Sequence, residues 1–301
     1  MATQKRALIT GVNGFTGKYV ADELKQAGYD VYGTGVVASD LPQYFQVDLL
    51  DKISLARVIL EVQPIVVVHL AAIAFVGHGS ANDFYQVNVI GTRNLLESLA
   101  LHANGLEAVL IASSANIYGN STEGVLAENT PSNPANDYAV SKLTMEYMAK
   151  LWQDKLPLFF VRPFNYTGIG QSEDFLLPKI VSHFKRRAPI IELGSLDVYR
   201  DFSDVRVVAE VYRRLLEVKP LGQTINICSG RAHALHEVLA LAEKISGHTI
   251  GVRVNSEFVR ANEVKSLCGD VTRLHSLIGE IKSPSLEDTL RWMLENPGLV
   301  K

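Results

Sequence analysis

Tyr138 and Lys142 are the residues whose types and spacing most directly allow catalytic chemistry. They stand four positions apart in a segment typical of a helix, so their side chains share one face, one turn apart. A lysine ammonium group next to a phenol favours the phenolate and lowers the pKa of the phenol from about 10. We therefore expect Tyr138 to exchange a proton with the oxygen of a carbonyl or an alcohol.

Ser113 and Ser114 place two hydroxyl groups at the carboxyl end of the predicted strand 108–112. A serine hydroxyl at this position can hydrogen-bond the oxygen that exchanges the proton. The Tyr-x-x-x-Lys spacing also arises by chance, in which case it marks a partly buried tyrosine and a surface lysine. The serine pair and a glycine-rich turn near the start of the chain favour catalysis over that alternative.

The glycines Gly11, Gly14 and Gly17 lie between a short apolar run and an amphipathic segment. This is the pattern of a strand, a tight turn and a helix, in which the first N–H groups of the helix can bind a pyrophosphate. The spacing is G-x-x-G-x-x-G rather than G-x-G-x-x-G, and the alternative is a tight turn without a ligand. We interpret the turn as a dinucleotide site.

Strand and helix patterns alternate along the chain, which predicts a doubly wound α/β fold with a parallel sheet and ligands at the carboxyl ends of its strands. We expect a Rossmann domain from residues 1–165 and about 203–228, and a smaller C-terminal α/β domain, from 166–202 and 229–301, that binds the substrate. After the first strand and helix, strands are predicted at 30–34, 44–47, 65–70, 108–112, 158–161, 190–193, 224–227 and 251–254, and helices at 51–63, 81–103, 138–153, 175–187, 204–216, 234–246 and 285–294.

The composition limits the partners of the chain. Its 301 residues include 29 basic and 32 acidic side chains, a formal net charge of −3, which gives no bulk attraction to nucleic acid or to an anionic membrane. No apolar run reaches the roughly 20 residues of a membrane span, and the N-terminus leads directly into the first strand. We expect a cytoplasmic protein without a metal site, in which Cys228 and Cys268 are buried thiols.

Six segments carry a family resemblance: residues 10–17, 48–49, 69–72, 113–119, 138–142 and 162–165. In these segments the chain resembles the extended short-chain dehydrogenase/reductase family, in its branch of nucleotide-sugar epimerases, dehydratases and reductases. The resemblance covers the whole length of the chain. It implies that Ser114 rather than Ser113 is the catalytic hydroxyl, that Tyr138 is the acid/base, and that Lys142 also holds the nicotinamide ribose.

The resemblance also implies which residues contact the dinucleotide. Asp48 and Leu49 would lie against the adenine, and residues 70–72 along the dinucleotide. The end of the second strand, 32–36, has neither the acid that binds a free ribose 2′-hydroxyl nor the arginine that suits a 2′-phosphate. Because the missing acid removes repulsion of a 2′-phosphate, NADP(H) is favoured over NAD(H). The predicted cofactor contacts are Gly11, Asn13, Gly14, Phe15, Thr16, Gly17, Asp48, Leu49, Leu70, Ala71, Ala72, Tyr138 and Lys142.

Substrate contacts follow from the same resemblance. Ser114 would contact the sugar, and relatives hold a sugar diphosphate at the position of Asn165. Residues 194–205 resemble the part of GDP-sugar enzymes around guanosine and diphosphate, where Arg200 would bind phosphate with its forked, charged head. An ion pair of Arg200 with Asp201 or Asp204 is the alternative.

Two further segments contribute candidates for the substrate. Residues 260–264 resemble an Arg-Pro-x-Glu-Val motif of the same enzymes, in which Arg260 would bind phosphate and Glu263 a ribose hydroxyl. Ala261 replaces the proline, which leaves this loop less fixed. Lys179 is a candidate for the nucleotide, or else part of a solvated helix face.

Two residue types that are missing after the catalytic strand exclude some of the reactions implied by the resemblance. Dehydratases of the family carry a glutamate just after the catalytic strand, and enzymes that epimerise C3 and C5 carry a cysteine, whereas this chain has Ser114-Ala115-Asn116. Of the reactions of this family, hydride transfer at C4 of the sugar remains. We expect NAD(P)H-dependent reduction of GDP-4-dehydro-6-deoxy-D-mannose to GDP-D-rhamnose, because residues 158–230 are most similar to reductases of that sugar. The alternatives are an NAD-dependent nucleotide-sugar 4-epimerase and a non-catalytic dinucleotide-binding regulatory protein.

Two histidines and two helices complete the predictions. His69 ends a strand and is expected in the core, whereas His78 lies in a glycine-containing loop and is a candidate to touch the sugar. In relatives, the helices equivalent to 81–103 and 138–153 pair across a two-fold axis, which implies a homodimer.

Overall fold

The computed structural model describes residues 5–77, 80–119, 124–255 and 265–296. Seven parallel strands form its main sheet, which confirms the predicted α/β class. In spatial order they are β3 (Tyr44–Gln46), β2 (Asp30–Gly35), β1 (Arg6–Thr10), β4 (Val66–His69), β5 (Ala108–Ala112), β7 (Leu158–Pro163) and β11 (Thr224–Ile227).

Helices cover both faces of this sheet because its strands are apolar on both sides. Alternate residues of β1 show this, since Ala7 and Ile9 pack into one core cluster and Leu8 into the other. The first cluster lies under α1 (Phe15–Gln26), α7 (Val205–Val218) and α9 (Thr272–Ile278). The second lies under α2 (Lys52–Val62), α4 (Thr92–His102) and α5 (Asp137–Lys150).

The predicted helix 81–103 is interrupted by a π turn. The structure has α3 (Ala81–Tyr85), a π-helical stretch at Gln86–Gly91 and then α4. Within the π turn, the Asn88 side chain accepts from Ile73 N at 2.9 Å and donates to Ile73 O at 3.2 Å and to Ser141 Oγ at 3.0 Å. The wider turn thus carries a side chain that joins the loop after β4 to α5.

A smaller sheet and three helices form the second layer of the molecule. Its strands run in the order β12 (Ala232–Ala234), β10 (Tyr199–Asp204), β14 (Ser266–Gly269) and β6 (Val125–Leu126), with β8 (Asn165–Thr167) also paired to β10. A separate pair joins β9 (Ile190–Leu193) to β13 (Gly251–Val254). The helices α6 (Leu176–Lys185), α8 (Leu235–Ser246) and α10 (Leu286–Glu295) share one apolar core.

The chain crosses between these two parts more often than the predicted boundaries allow. Leu274 and Ile278 of α9 belong to the core of the large sheet, although they lie in the range assigned to the smaller domain. Conversely, β6 pairs with β14 in the smaller sheet. The reason is tertiary, since both elements are too short for their partners to be read from sequence.

The structure also bears on the two predicted buried cysteines and on the search for a membrane span. Cys228 and Cys268 are buried free thiols, as predicted, and burial raises the pKa of Cys268 to about 11. Among the described residues, none of the helices combines the length and the apolar character needed to cross a membrane.

Candidate active site

The glycine turn joins β1 to α1 and depends on two glycines for its shape. Gly11 has a φ of +74°, and a Cβ there would lie 3.0 Å from the backbone of Ala71. A Cβ on Gly17 would lie 2.3 Å from Gly11 O, so only glycine fits. Gly14 is the N-cap of α1 and supplies no side-chain cap, and no acidic residue lies in the first turn. The first N–H groups of α1 are therefore suited to bind an anionic pyrophosphate.

Ser114 and Tyr138 come together at the carboxyl end of β5. Ser114 caps a short 3₁₀ helix, Ala115–Tyr118, by accepting from Asn116 N at 3.1 Å. Tyr138 is the second residue of α5, whose N-cap Asn136 accepts from Ala139 N at 2.9 Å. The Tyr138 phenol is hydrogen-bonded to Ser114. Two local capping motifs thus set the positions of the two hydroxyl groups.

The prediction that Lys142 lowers the pKa of Tyr138 is wrong for the protein without ligands. Burial raises the pKa of Tyr138 to about 12, and only the hydrogen bond from Ser114 opposes this rise. Lys142 instead donates to Ala112 O at 2.8 Å. Burial lowers the pKa of Lys142 to about 8, against the attraction of Glu146. At neutral pH the site therefore holds a neutral phenol and a charged ammonium group.

A buried chain of hydrogen bonds supports the site from behind. Thr10 Oγ1 lies 2.7 Å from His69 Nδ1, and His69 Nε2 lies 2.8 Å from Thr92 Oγ1, which donates to Asn88 O at 2.7 Å. Burial lowers the pKa of His69 to about 3, so the ring is neutral. His69 is a core residue, as predicted, and it joins the glycine turn to the π turn.

One cleft of about 450 Å³ unites the glycine turn with the catalytic candidates. It lies at the carboxyl ends of β1, β4, β5 and β7, where a doubly wound sheet binds its ligands. The predicted site residues that line it are Gly11, Gly14, Phe15, Thr16, Gly17, Leu70, Ala72, Ser114, Tyr138, Lys142 and Asn165.

Four predicted cofactor residues lie outside this lining. Asn13 lies over Gly35 at the end of β2, with its Nδ2 3.4 Å from the Tyr44 hydroxyl. Ala71 packs against Gly11, and its N donates to Thr10 Oγ1 at 3.2 Å. Asp48 accepts from Leu50 N at 2.9 Å, and Leu49 is buried in the core. Their roles toward a cofactor stay predictions.

The structure does not bring Lys179 and Arg200 into the cleft lining. Lys179 Nζ donates to Glu192 O at 2.7 Å. Arg200 Nη1 donates to Tyr199 O at 2.9 Å and to Lys265 O at 3.1 Å. The acids proposed as alternative partners of Arg200 have other contacts, since Asp201 accepts from backbone N–H groups of the loop 229–230 and Asp204 pairs with Arg206.

Three predicted site residues lie outside the described residues. They are Arg260 and Glu263, the predicted phosphate and ribose contacts, and His78, the predicted contact of the sugar.

Several residues of the cleft were not predicted from the sequence. Tyr166 and Gln171 follow the predicted Asn165, while Phe175, Phe202 and Tyr212 come from α6, β10 and α7 or their ends. Tyr166 Oη lies 2.8 Å from Thr16 Oγ1, and its ring stacks on Phe15 with 6.0 Å between centroids. The position of residues 165–171, just after the carboxyl end of β7, could have indicated that they line the cleft. Their contacts with the glycine turn join residues 150 positions apart, which no local pattern predicts.

Unpaired polar atoms gather in this cleft. Within the described ranges, three buried side-chain atoms have no hydrogen-bond partner, namely Ser113 Oγ, Asn165 Nδ2 and Gln171 Oε1. All three residues line the cleft. Because an unpaired buried polar group costs about 1–3 kcal/mol, these three atoms make the cleft a candidate site for a polar ligand.

Residues 7–228 match the model of the NAD dependent epimerase/dehydratase family. The chain belongs to this family. It is therefore an NAD(P)-dependent oxidoreductase, and the predicted resemblance is confirmed.

Two relatives match this epimerase/dehydratase family member over nearly its whole length. GDP-6-deoxy-D-talose 4-dehydrogenase of Aggregatibacter actinomycetemcomitans is 34% identical over 295 residues, which are 97% of each chain. GDP-6-deoxy-D-mannose reductase of Pseudomonas aeruginosa is 31% identical over 304 residues, again 97% of each chain.

Solved structures agree with the fold. A candidate epimerase of Burkholderia cenocepacia J2315 superposes with a TM-score of 0.90 at 51% identity and 97% coverage of both chains. The protein RMD of Pseudomonas aeruginosa, complexed with NADPH, gives a TM-score of 0.85 at 29% identity, with 97% and 98% of the chains covered. MoeE5, in complex with UDP-glucuronic acid and NAD, gives 0.88 at 25% identity, with 96% and 98% covered.

Proposed function

We propose that this family member reduces the C4 keto group of a nucleotide-activated 4-keto-6-deoxyhexose with NAD(P)H. The favoured reaction is the conversion of GDP-4-dehydro-6-deoxy-D-mannose to GDP-D-rhamnose. The observation that carries the proposal is one cleft that contains the glycine turn, the Ser114–Tyr138–Lys142 set and the unpaired amide of Asn165. A protein that only bound a dinucleotide would have no use for a buried phenol and ammonium group beside the cleft.

The described residues fit a dinucleotide. The glycine turn presents the uncapped N-terminus of α1, and the glycines leave room for a backbone approach that a Cβ would prevent. When bound, the reduced dinucleotide supplies the hydride for C4. Lys142 would hold the nicotinamide ribose, for which its charged state at neutral pH is suited.

Tyr138 is the proton donor in this proposal. Reduction of a carbonyl needs a proton at the developing alkoxide, and the raised pKa of Tyr138 keeps its phenol protonated over the working pH range. Ser114, which is hydrogen-bonded to the phenol, would orient and polarise the C4 carbonyl. Lys142, one turn further along α5, would stabilise the phenolate that remains once Tyr138 has given up its proton.

The diphosphate is assigned to Asn165, and the nucleoside base is assigned from the relatives. Asn165 Nδ2 is a buried donor that needs an acceptor, and phosphate or carbonyl oxygens are acceptors. The two relatives at 31–34% identity are named for GDP-sugars, which supports guanosine over thymidine or uridine. Arg260 and Glu263 stay predicted contacts of the nucleotide, whereas Lys179 and Arg200 do not line the cleft.

The choice between NADP(H) and NAD(H) depends on the end of β2. Gly35 is approached by Asn13 and the Tyr44 hydroxyl, both neutral, so these two groups would not repel a 2′-phosphate. Solved relatives bind NADPH in one case and NAD in another. We propose NADP(H) as the preferred form.

The same cleft could also form a second product, GDP-6-deoxy-D-talose. The relative at 34% identity is named for GDP-6-deoxy-D-talose, the C4 epimer of GDP-D-rhamnose. Hydride delivery to the opposite face of the same ketone would give that sugar from the same cleft. The nucleotide-sugar 4-epimerase is the remaining alternative, and it would carry tightly bound NAD and consume no NADPH.

The test is an incubation of the purified protein with 4-keto-6-deoxy sugars of GDP, dTDP and UDP, with NADPH or NADH. We expect cofactor oxidation with the GDP-sugar, fastest with NADPH. Proton NMR of the product distinguishes the two C4 epimers, because the coupling between H3 and H4 is large for rhamnose and small for 6-deoxytalose. If no combination oxidises the cofactor, the proposal of a reductase fails.

A further inference from the structure

Gln171 carries a buried acceptor that none of the described residues satisfies. It lies in the loop between β8 and α6 and lines the cleft. Its Nε2 donates to Tyr166 O at 3.2 Å, whereas its Oε1 is buried without a hydrogen-bond partner. A group of this kind is costly to leave unpaired, since its water is lost and nothing replaces it.

The orientation of the Gln171 amide follows from chemistry. Tyr166 O is a carbonyl oxygen and can only accept, so the NH₂ group of Gln171 must face it and the oxygen must face away. Tyr166 is itself held to the glycine turn by its hydroxyl contact with Thr16 and by stacking on Phe15. The acceptor therefore has a defined place relative to the predicted cofactor site.

A hydrogen-bond acceptor such as Gln171 Oε1 needs a partner that can donate a hydrogen bond. Phosphate oxygens and carbonyl oxygens are acceptors themselves and are repelled by Oε1, whereas a hydroxyl can donate to it. We propose that Gln171 accepts a hydrogen bond from a hydroxyl of the substrate and makes the enzyme select sugars that carry this hydroxyl. This inference rests on the proposed function and assigns a specificity residue to the same cleft.

The hydroxyl can come from two parts of the substrate. In a 4-keto-6-deoxyhexose, C4 carries a carbonyl and C6 a methyl group, which leaves the hydroxyls at C2 and C3. The ribose of the nucleoside has two more. Gln171 and Tyr138 line the same cleft, which favours a hexose hydroxyl near the reacting carbon.

The experiment compares Gln171→Met with wild type, because methionine keeps the length of the side chain and removes the acceptor. We expect the KM for the nucleotide sugar to rise about tenfold to a hundredfold, with the dissociation constant of NADPH measured without sugar unchanged. Gln223→Met is the matched control. Gln223 is exposed at the amino end of β11, whereas the cleft lies at the carboxyl ends of the strands. Its variant is expected to match wild type.

Substrate analogues identify the hydroxyl. Fluorine in place of a hydroxyl cannot donate, so wild type should lose about the same factor on the 2-fluoro or the 3-fluoro hexose, and Gln171→Met should lose nothing more on that analogue. The same loss with a 2′- or 3′-deoxyribose analogue instead places the partner hydroxyl on the nucleoside. In either case a hydroxyl donor to Gln171 is established.

Two outcomes overturn the inference. If Gln171→Met keeps the wild-type KM, or if its loss is equal on every analogue, Gln171 does not read a hydroxyl although turnover supports the proposed function. If wild type itself neither turns over nor binds any nucleotide sugar by calorimetry, the proposed function falls and the inference falls with it. Should the methionine variant unfold, Gln171→Asn withdraws the acceptor by one methylene and is measured in the same way.

Discussion

At the scale of single residues, the catalytic candidates owe their properties to burial. Tyr138 and Lys142 are 7% and 4% exposed, and loss of water moves their pKa values in opposite directions, up for the phenol and down for the amine. Both shifts oppose the charged form. The four-residue spacing visible in the sequence predicted that the two side chains share a face, but it could not reveal that the ammonium group binds Ala112 O.

Replacing Tyr138 by phenylalanine tests the proton donor. We expect kcat to fall by about 10²–10⁴, because the alkoxide would have to take its proton from water. The free energy of unfolding should fall by only about 1 kcal/mol, since the variant loses one hydrogen bond, the one with Ser114. Tyr147→Phe on the same helix is the control, because Tyr147 is 65% exposed. Near-normal turnover of Tyr138→Phe would remove Tyr138 from the mechanism.

Replacing Lys142 by methionine should separate activity from stability. The pKa of Lys142 is about 8 in the folded protein against a usual value of 10.5, so the unfolded chain binds more protons between these pH values and wild-type stability rises with pH there. Below pH 8 the buried charge costs free energy that the variant does not lose. We expect Lys142→Met to be about 1–2 kcal/mol more stable at pH 7, with the gain shrinking above pH 8 and activity abolished.

Thermal unfolding at pH 7 and pH 9, together with an activity assay, checks this expectation. Lys150→Met, exposed on the same helix, should change neither quantity. A Lys142→Met variant that is less stable than wild type at pH 7 would show that the contact with Ala112 O outweighs the burial of charge.

At the scale of elements, segments with a regular apolar pattern were predictable and segments without one were not. The strands 108–112, 190–193, 224–227 and 251–254 have the predicted bounds, because apolar β-branched runs between turns are local signals. In contrast, β8, β10, β12 and β14 have no apolar β-branched run, and their partners are distant in sequence. Residues 194–205 were predicted as a substrate segment, and half of it is the strand β10.

The Arg162–Glu146 pair shows how an element is held in place for the site. Arg162 on β7 donates to both carboxylate oxygens of Glu146 on α5, at 2.9 and 2.7 Å, and both side chains are buried. The pair ties the helix that carries Tyr138 to the sheet. Removing one partner leaves a buried charge uncompensated.

We therefore expect Glu146→Gln to lower the free energy of unfolding by about 3–5 kcal/mol, as measured by urea denaturation. The control is Glu97→Gln, which breaks the exposed pair with Lys52 and should leave the unfolding midpoint nearly unchanged. Equal effects of the two variants would mean that the buried pair has no special weight.

At the scale of the whole molecule, the predicted homodimer would cover apolar residues that the single chain exposes. Leu151 follows α5 and is 81% exposed, Leu101 on α4 is 70% exposed, and Tyr147 on α5 is 65% exposed. Both helices belong to the pair expected to meet across a two-fold axis. Exposed apolar residues on paired helices are consistent with an interface of this kind.

Leu151→Glu tests the dimer. A two-fold axis repeats the new charge, so each interface would receive two buried carboxylates, and we expect a shift to monomer in size-exclusion chromatography with light scattering. Ile53→Glu introduces the same charge on α2, at a residue that is 75% exposed, and should leave the oligomeric state unchanged. A wild-type monomer, or a dimeric Leu151→Glu variant, would contradict the prediction.

The sequence by itself determined the alternation of strands and helices, the glycine turn and the Ser114, Tyr138 and Lys142 set, because each depends on residue type and short-range spacing. Only the tertiary structure decided which atoms in the cleft remain unpaired, how burial shifts the pKa values of Tyr138 and Lys142, and that Gln171 belongs to the site. The physical reason is that solvation and hydrogen-bond satisfaction depend on every neighbour in space. Those neighbours, such as Thr16 and Tyr166, stand as far as 150 positions apart in the chain.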